Sequence, residues 1–167
     1  MGGKVLVVMG SDSDWKVMSA AVETLRSYDV DIDLHVASAH RVPDVVSEMS
    51  AKARENGFSV IIAAAGAAAH LAGVLASKTT LPVIGVPLSG TALQGVDALY
   101  ATVQMPSGIP VATVAIDGAR NAALLAIQIL AVSDEKLAAR LAEDKLDLYG
   151  QIEEKSKKVR ELAGIAE

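Results

Sequence analysis

Hydrophobic and polar positions along this chain follow two periods. Short Val- and Ile-rich runs alternate with stretches whose apolar residues recur every three or four positions. Residues 4–9, KVLVVM, form the first apolar run. Residues 31–37 alternate polar with apolar, and 58–63, 83–86 and 111–116 are further short runs, the fourth ended by Pro87. These five segments are predicted strands. Helical spacing predicts helices over 14–27, over 43–56 with Gly57 closing it, and over about 70–77. Near-continuous Val/Ile runs belong to strands buried on both faces. Their alternation with helices predicts right-handed βαβ units and a parallel sheet, the α/β class. No internal repeat and no low-complexity linker interrupts the pattern.

The last third changes character. Residues 121–132 are apolar almost all round, which no single layer of a small domain hides completely. Burial between subunits explains this, so a homo-oligomer is expected; the alternative is a core helix lying under the C-terminal segment. Residues 134–167 hold nine acidic and seven basic residues. Leu137, Leu141, Leu148 and Ile152 fit a helical stripe there, and Gly150 is expected to break it. The expected element is a solvated amphipathic helix, a C-terminal extension lying on the domain or on a neighbour.

Length and composition narrow the class. At 167 residues the natural reading is one domain over 1–167, with 134–167 as its charged helical extension. The chain is 51% hydrophobic but only 3% aromatic, so its core is aliphatic. A net charge of −5 argues against nucleic acid as the main partner. There is no cysteine, which removes disulfides and thiolate chemistry. The longest apolar run is too short to span a bilayer. No basic-then-apolar leader opens the sequence, so a cytoplasmic location is expected.

The candidate chemistry sits at predicted strand ends. Ser38-Ala39-His40-Arg41-Val42-Pro43 places a titratable imidazole beside a fixed cation, just before a helix that Pro43 opens. Imidazole gives and takes protons near neutral pH, and guanidinium offers a planar fork to phosphate or carboxylate. Gly10-Ser11-Asp12-Ser13-Asp14 follows the first strand. Its hydroxyls and free N–H groups suit a phosphate, with Asp14 toward a ribose hydroxyl or ring amine. The plain alternative is an N-cap, since Ser and Asp are the usual cap residues. Residues 63–73, AAAGAAAHLAG, follow the third strand. Small residues around Gly66 admit a flat ligand, and His70 at the helix start could bond it; tight helix packing is the alternative. In an open parallel sheet such loops converge on one crevice. His35, His40 and His70 lack metal-ligand spacing, so no metal is expected. No GxGxxG fingerprint or nucleophile elbow is present.

The segments MGSDSDW, SAHRVP, AAAGAAAHLAG, LPVIGVP and GVDALYATVQMPSGIPVATVAI occur in the order and spacing of the PurE family of purine biosynthesis. The chain resembles its class I branch over about residues 4–133. The resemblance implies a three-layer flavodoxin-like (Rossmann-type) parallel sheet with helices on both faces, assembled as an octamer. It implies a carboxylate shift from the exocyclic nitrogen of an aminoimidazole ribonucleotide to ring carbon 4, without cofactor or metal. By position, His40 is the acid–base residue. Ser11, Ser13, Asp14 and Arg41 bind the ribonucleotide, Ser38 and Ala39 shape the pocket, and Gly66 and His70 belong to the carboxylate-binding loop. The sequence departs from the family pattern at Ala64 and Ala67, where Gly is usual, at Ala72 for Pro, Val42 for Thr and Val74 for Met. The added methyl groups at 64 and 67 are expected to reshape the carboxylate pocket. The class II branch, which carboxylates the ribonucleotide directly, usually carries Lys where this chain has Arg41. A phosphate-binding regulatory module on the same fold is the non-enzymatic alternative.

Overall fold

Five strands form one all-parallel sheet in a computed structural model that describes residues 3–165: β1 (Lys4–Met9), β2 (Asp31–Val36), β3 (Phe58–Gly66), β4 (Val83–Leu88) and β5 (Ala112–Thr113). Their order is β2-β1-β3-β4-β5. The direction of winding reverses between β1 and β3, which opens a crevice at the strands' carboxyl ends. Side chains alternate across the sheet. Val5, Val7, Val60, Ile62, Ile84 and Val86 enter one core, packed under α1 (Trp15–Ser27) and α5 (Ala119–Ala131). Leu6, Val8, Ile61, Ala63 and Val83 enter the other, covered by α2 (Pro43–Lys52) and α3 (Leu71–Ala76). The sheet is thus the middle of three layers, the flavodoxin-like arrangement.

Pro43 sits at the start of α2, where its missing N–H costs nothing. A one-turn 3-10 segment (Asp12–Asp14) precedes α1, so that helix begins at Trp15 rather than Asp14. Strand β4 does not stop before Pro87, as the sequence suggests, but runs on to Leu88. The Pro87 carbonyl accepts from the Asp117 N–H, on the side where β5 has already ended. No ladder bond is lost there, so a proline is tolerated. Strand β5 is only two residues, not six. Helix α4 (Val96–Val103) has no counterpart in the sequence reading. It packs against β4 through Gly85, where a Cβ would lie 2.3 Å from Thr102 Cγ2 and 3.0 Å from Val111 Cγ1.

The apolar helix predicted at 121–132 is α5. Its Ala122, Ala123, Ala126 and Ile127 are fully buried within one chain, between the sheet, α1 and α6 (Glu135–Leu162). Its apolarity is therefore met internally, as a core helix under the C-terminal segment, and does not itself require a neighbouring subunit. Helix α6 runs unbroken through Gly150, contrary to the expected break. A mid-helix glycine costs about 1 kcal/mol, and a helix-forming sequence on both sides absorbs it. Asp134 caps α6, accepting from the N–H groups of Lys136 and Leu137. Arg140 then holds the helix to the chain, bonding Asp29 at 2.7 Å and the Ser27 carbonyl. Tyr28 donates to Asp144, and burial together with that carboxylate pushes the Tyr28 hydroxyl up to about 12. No helix among the described residues is long and apolar enough to cross a membrane.

Candidate active site

The carboxyl ends of β1, β2 and β3 bring three loops to the crevice. Gly10, Ser11 and Asp14 come from the first, Ser38 to Arg41 from the second, and Ala65, Gly66, Ala68 and Leu71 from the third. Together they line a cleft of about 190 Å³. The loops are tied to one another. The Gly10 N–H donates to the Ala64 carbonyl at 3.0 Å, and Arg41 Nη2 donates to the Gly10 carbonyl at 3.2 Å. The guanidinium has five N–H donors, and no carboxylate among the described residues pairs with it. The rest of the fork is open to an anion. Glycine is not forced at 10 by geometry, since a Cβ there would meet only ordinary contacts, the nearest at 3.7 Å.

Ser11 and Asp14 act first as a local cap. The Ser11 N–H donates to Asp14 Oδ2 at 2.9 Å, and Ser11 Oγ accepts from Ser13 Oγ at 3.0 Å. The cap reading and the ligand reading thus hold together: the cap fixes the side chains that line the cleft. Burial raises the Asp14 carboxyl above its ordinary value, against the lowering effect of its hydrogen bonds to Ser11 and Ser13. Ionised Asp14 therefore carries a desolvation cost, which a donor on a bound ligand would offset. Ser13 is exposed and does not line the cleft.

The feature that sequence reasoning missed is a contact between two histidines. His40 Nε2 lies 2.9 Å from His70 Nδ1, with the rings nearly perpendicular at 67°. One ring nitrogen donates and the other accepts, so a single proton occupies the space between them. Thirty positions separate the two residues in sequence, and only the adjacency of the loops after β2 and β3 joins them. His35 is elsewhere, on β2 against Asp33 at 3.1 Å. No group of three or more His, Asp or Glu among the described residues is placed to share a metal ion.

Two of the departures from the family pattern resolve differently. Ala64 is fully buried and belongs to the core under α5, so its methyl fills that core and does not reshape the cleft. Ala67 is exposed and adopts φ +49°, the left-handed region that favours glycine. A non-glycine residue there costs about 1–2 kcal/mol. Ala67→Gly removes that cost while adding about 0.4–1 kcal/mol of unfolded-state entropy. The expected result is a small gain, a Tm higher by about 2 °C; a lower Tm by calorimetry would show that the methyl is favourable in this loop.

The AIR carboxylase family profile matches residues 4–150. The chain belongs to the AIR carboxylase family. Among its curated relatives, the N5-carboxyaminoimidazole ribonucleotide mutase of Pyrococcus horikoshii is 50% identical over 156 residues, covering 93% of this chain and 88% of that protein. The enzyme of that name from Escherichia coli K12 is 54% identical over 140 residues, 83% of each chain. In structure, Treponema denticola PurE superposes with a TM-score of 0.85 at 26% identity, over 95% of this chain and 99% of the other. The match to an AIR carboxylase profile takes in all three loops of the cleft and the first half of α6.

Proposed function

We propose that this chain is an isomerase of purine biosynthesis. Its substrate is 5-carboxyamino-1-(5-phosphoribosyl)imidazole, and its product is the 4-carboxy-5-amino isomer. The observation that carries this reading is the His40–His70 pair beside a cleft that presents Ser11, Asp14 and Arg41, with which no carboxylate among the described residues pairs. The identity to named mutases, near one half over most of the chain, supports the mutase over direct carboxylation.

The chemistry needs few groups. A proton is delivered to the exocyclic nitrogen as its bond to the carboxylate breaks, releasing carbon dioxide. Carbon 4 of the electron-rich ring then attacks that carbon dioxide, and the proton on carbon 4 leaves to restore aromaticity. His40 makes both transfers, giving the proton and taking one back. His70 orients the His40 ring through the shared hydrogen bond. Gly66 and its alanine neighbours close over the carbon dioxide and exclude water. Arg41 and Ser11 hold the phosphate, with Ser13 only steadying the Ser11 hydroxyl from outside the cleft; Asp14 holds the ribose, and Ser38 and Ala39 shape the wall. No cofactor or metal enters this scheme.

Purified chain incubated with N5-carboxyaminoimidazole ribonucleotide is expected to yield the carbon-carboxylated isomer. Turnover only with aminoimidazole ribonucleotide and bicarbonate would place it with the class II enzymes. Binding without turnover of either would make it a regulatory module. Arg41→Ala is expected to raise KM by about tenfold or more with a smaller loss of kcat, because the group it holds does not react. A fall in kcat at unchanged KM would contradict that role.

The unit of function is the whole chain 1–167, with 134–167 as its helical extension, acting in the cytoplasm as a homo-octamer. The count of eight rests on the family resemblance. Association itself is supported by the stripe Val96, Tyr100 and Val103 on α4, an apolar face left exposed among the described residues of one chain. Light scattering at micromolar protein tests it, and a mass near 17.2 kDa would reject any oligomer.

A further inference from the structure

The loop after β4, residues 89–95, stands behind the cleft without lining it. It is a short closed loop whose two ends meet. A Cβ on Gly95 would lie 2.7 Å from Ile116 Cγ2, 3.1 Å from Ser89 Cα and 3.2 Å from the Leu88 carbonyl oxygen. Gly95 turns at φ +86° and Gln94 at φ +51°. A non-glycine residue holds the left-handed region only where its surroundings over-determine it. In the middle of the loop Thr91 faces two ways. Its Oγ1 reaches both carboxylate oxygens of Asp97 at 3.3 Å, and its methyl lies 3.8 Å from where a Cβ on Gly66 would stand. Gly66 lines the cleft, so Thr91 backs the wall assigned above to carbon dioxide.

Asp117, in the turn after β5, holds this loop down. Its N–H donates to the Pro87 carbonyl at 2.9 Å, and its carboxylate accepts from the Ser89 N–H at 3.0 Å and from Ser89 Oγ at 2.5 Å. One residue thus grips the chain on both sides of Leu88. Asp117 sits at φ +57°, a conformation that Asp adopts more readily than most residues. Bonds from the Gly118 N–H to the Ala115 carbonyl and from the Ala119 N–H to the Asp117 carbonyl, each 2.9 Å, fix that turn. Ionised Asp117 is an acceptor only, so its two bonds from Ser89 are charge-assisted.

We propose that Asp117 is a positioning residue for the isomerase reaction. By holding Ser89 it keeps loop 89–95 against Gly66, and so keeps carbon dioxide in the cleft between bond breaking and bond making. This deepens the function proposed above and rests on it. Carbon dioxide carries no net charge and no donor, so close walls retain it. The first step breaks the bond from nitrogen to the carboxylate and leaves a proton on the exocyclic nitrogen. The released molecule then has two fates. Attack by ring carbon 4 gives the isomer, whereas escape leaves aminoimidazole ribonucleotide with the proton still on nitrogen. Asp117 acts on the ratio of these fates and not on proton transfer, since its bonds go to Ser89 and to backbone rather than to either histidine.

The test follows both products from N5-carboxyaminoimidazole ribonucleotide with full-length protein, after subtracting an enzyme-free blank. Asp117→Ala is expected to raise the ratio of aminoimidazole ribonucleotide to isomer about tenfold, with KM within about twofold of native. Asp117→Asn still offers a carbonyl oxygen to the Ser89 N–H and should stay within about threefold. Ser89→Ala removes one bond of the two and shifts the ratio less; it carries the test if Asp117→Ala does not fold. Combining Ser89→Ala with Asp117→Ala should add nothing, since both act through one contact. An unchanged ratio, or additive effects, would overturn the proposal. Amide hydrogen exchange is the second arm. Asp117→Ala is expected to speed exchange about tenfold at 89–95 and to raise it at 66–70, with 38–41 unchanged. Faster exchange at 89–95 alone would confine Asp117 to its own loop and overturn the role. A native chain that forms no isomer brings down the function proposed above, and exchange at 66–70 then decides whether Asp117 holds the wall.

Discussion

His40→Asn is expected to leave the fold and ribonucleotide binding intact while turnover falls by about a hundred- to ten-thousand-fold, the usual contribution of a general acid–base group. The physical reason lies in what Asn keeps and loses. Its amide can still take a hydrogen bond from the His70 ring, and position 40 lies in an exposed loop rather than in either core. Stability should hardly change. But an amide neither delivers a proton to the departing nitrogen nor removes one from ring carbon 4. Both chemical steps therefore lose their carrier. A melting curve, a binding isotherm and a progress curve on the same sample separate these effects. Near-normal kcat would sink the assignment of His40, and loss of binding with kcat retained would move it to the pocket wall.

The largest structural effect is expected at Gly85. It faces the core between α3 and α4, where a Cβ would approach Thr102 Cγ2 to 2.3 Å and Ala72 Cβ to 3.4 Å. Thr102 is buried and its hydroxyl is committed to the Ala98 carbonyl at 2.7 Å, so it cannot swing aside without leaving that bond. Gly85→Val adds three carbons to this space. The expected loss is on the order of 3 kcal/mol, the upper end for overpacking a core, or a Tm lower by about 6–12 °C. Calorimetry of the purified variant decides it; an unchanged Tm would mean that α4 shifts outward freely. Catalysis by the folded fraction should survive, since the cleft is built from the other side of the crevice, by the loops after β1, β2 and β3.

What the sequence made legible follows from which forces are local. Strand β1 coincides with its prediction because an unbroken apolar run permits only burial on both faces. Strand β5 was over-read, since Val111 to Ile116 looks apolar but pairs with β4 only at Ala112 and Thr113. Helix α4 was missed because its outward face carries Val96, Tyr100 and Val103, so no polar stripe marks it as a helix. The cleft was legible residue by residue, through the segments after β1, β2 and β3. The pairing of His40 with His70 was not, because it depends on which strands adjoin. Ala64 shows the same limit: its neighbourhood suggests the cleft, but the two-residue alternation of β3 turns its methyl into the core.

The strand order carries a kinetic consequence. No two adjacent strands are consecutive by a hairpin, because every pair is parallel and needs a crossover. The central pair brings Lys4 beside Phe58, so β1 cannot complete both its ladders until more than fifty residues of intervening chain have closed into a loop. Such non-local pairing slows folding relative to a helical bundle of equal size. A nascent chain ending before β3 would expose the β1 edge, Val, Leu and Met throughout after Lys4, with nothing to cover it. The interval during synthesis between β1 and β3 is therefore when this protein is most open to misassociation.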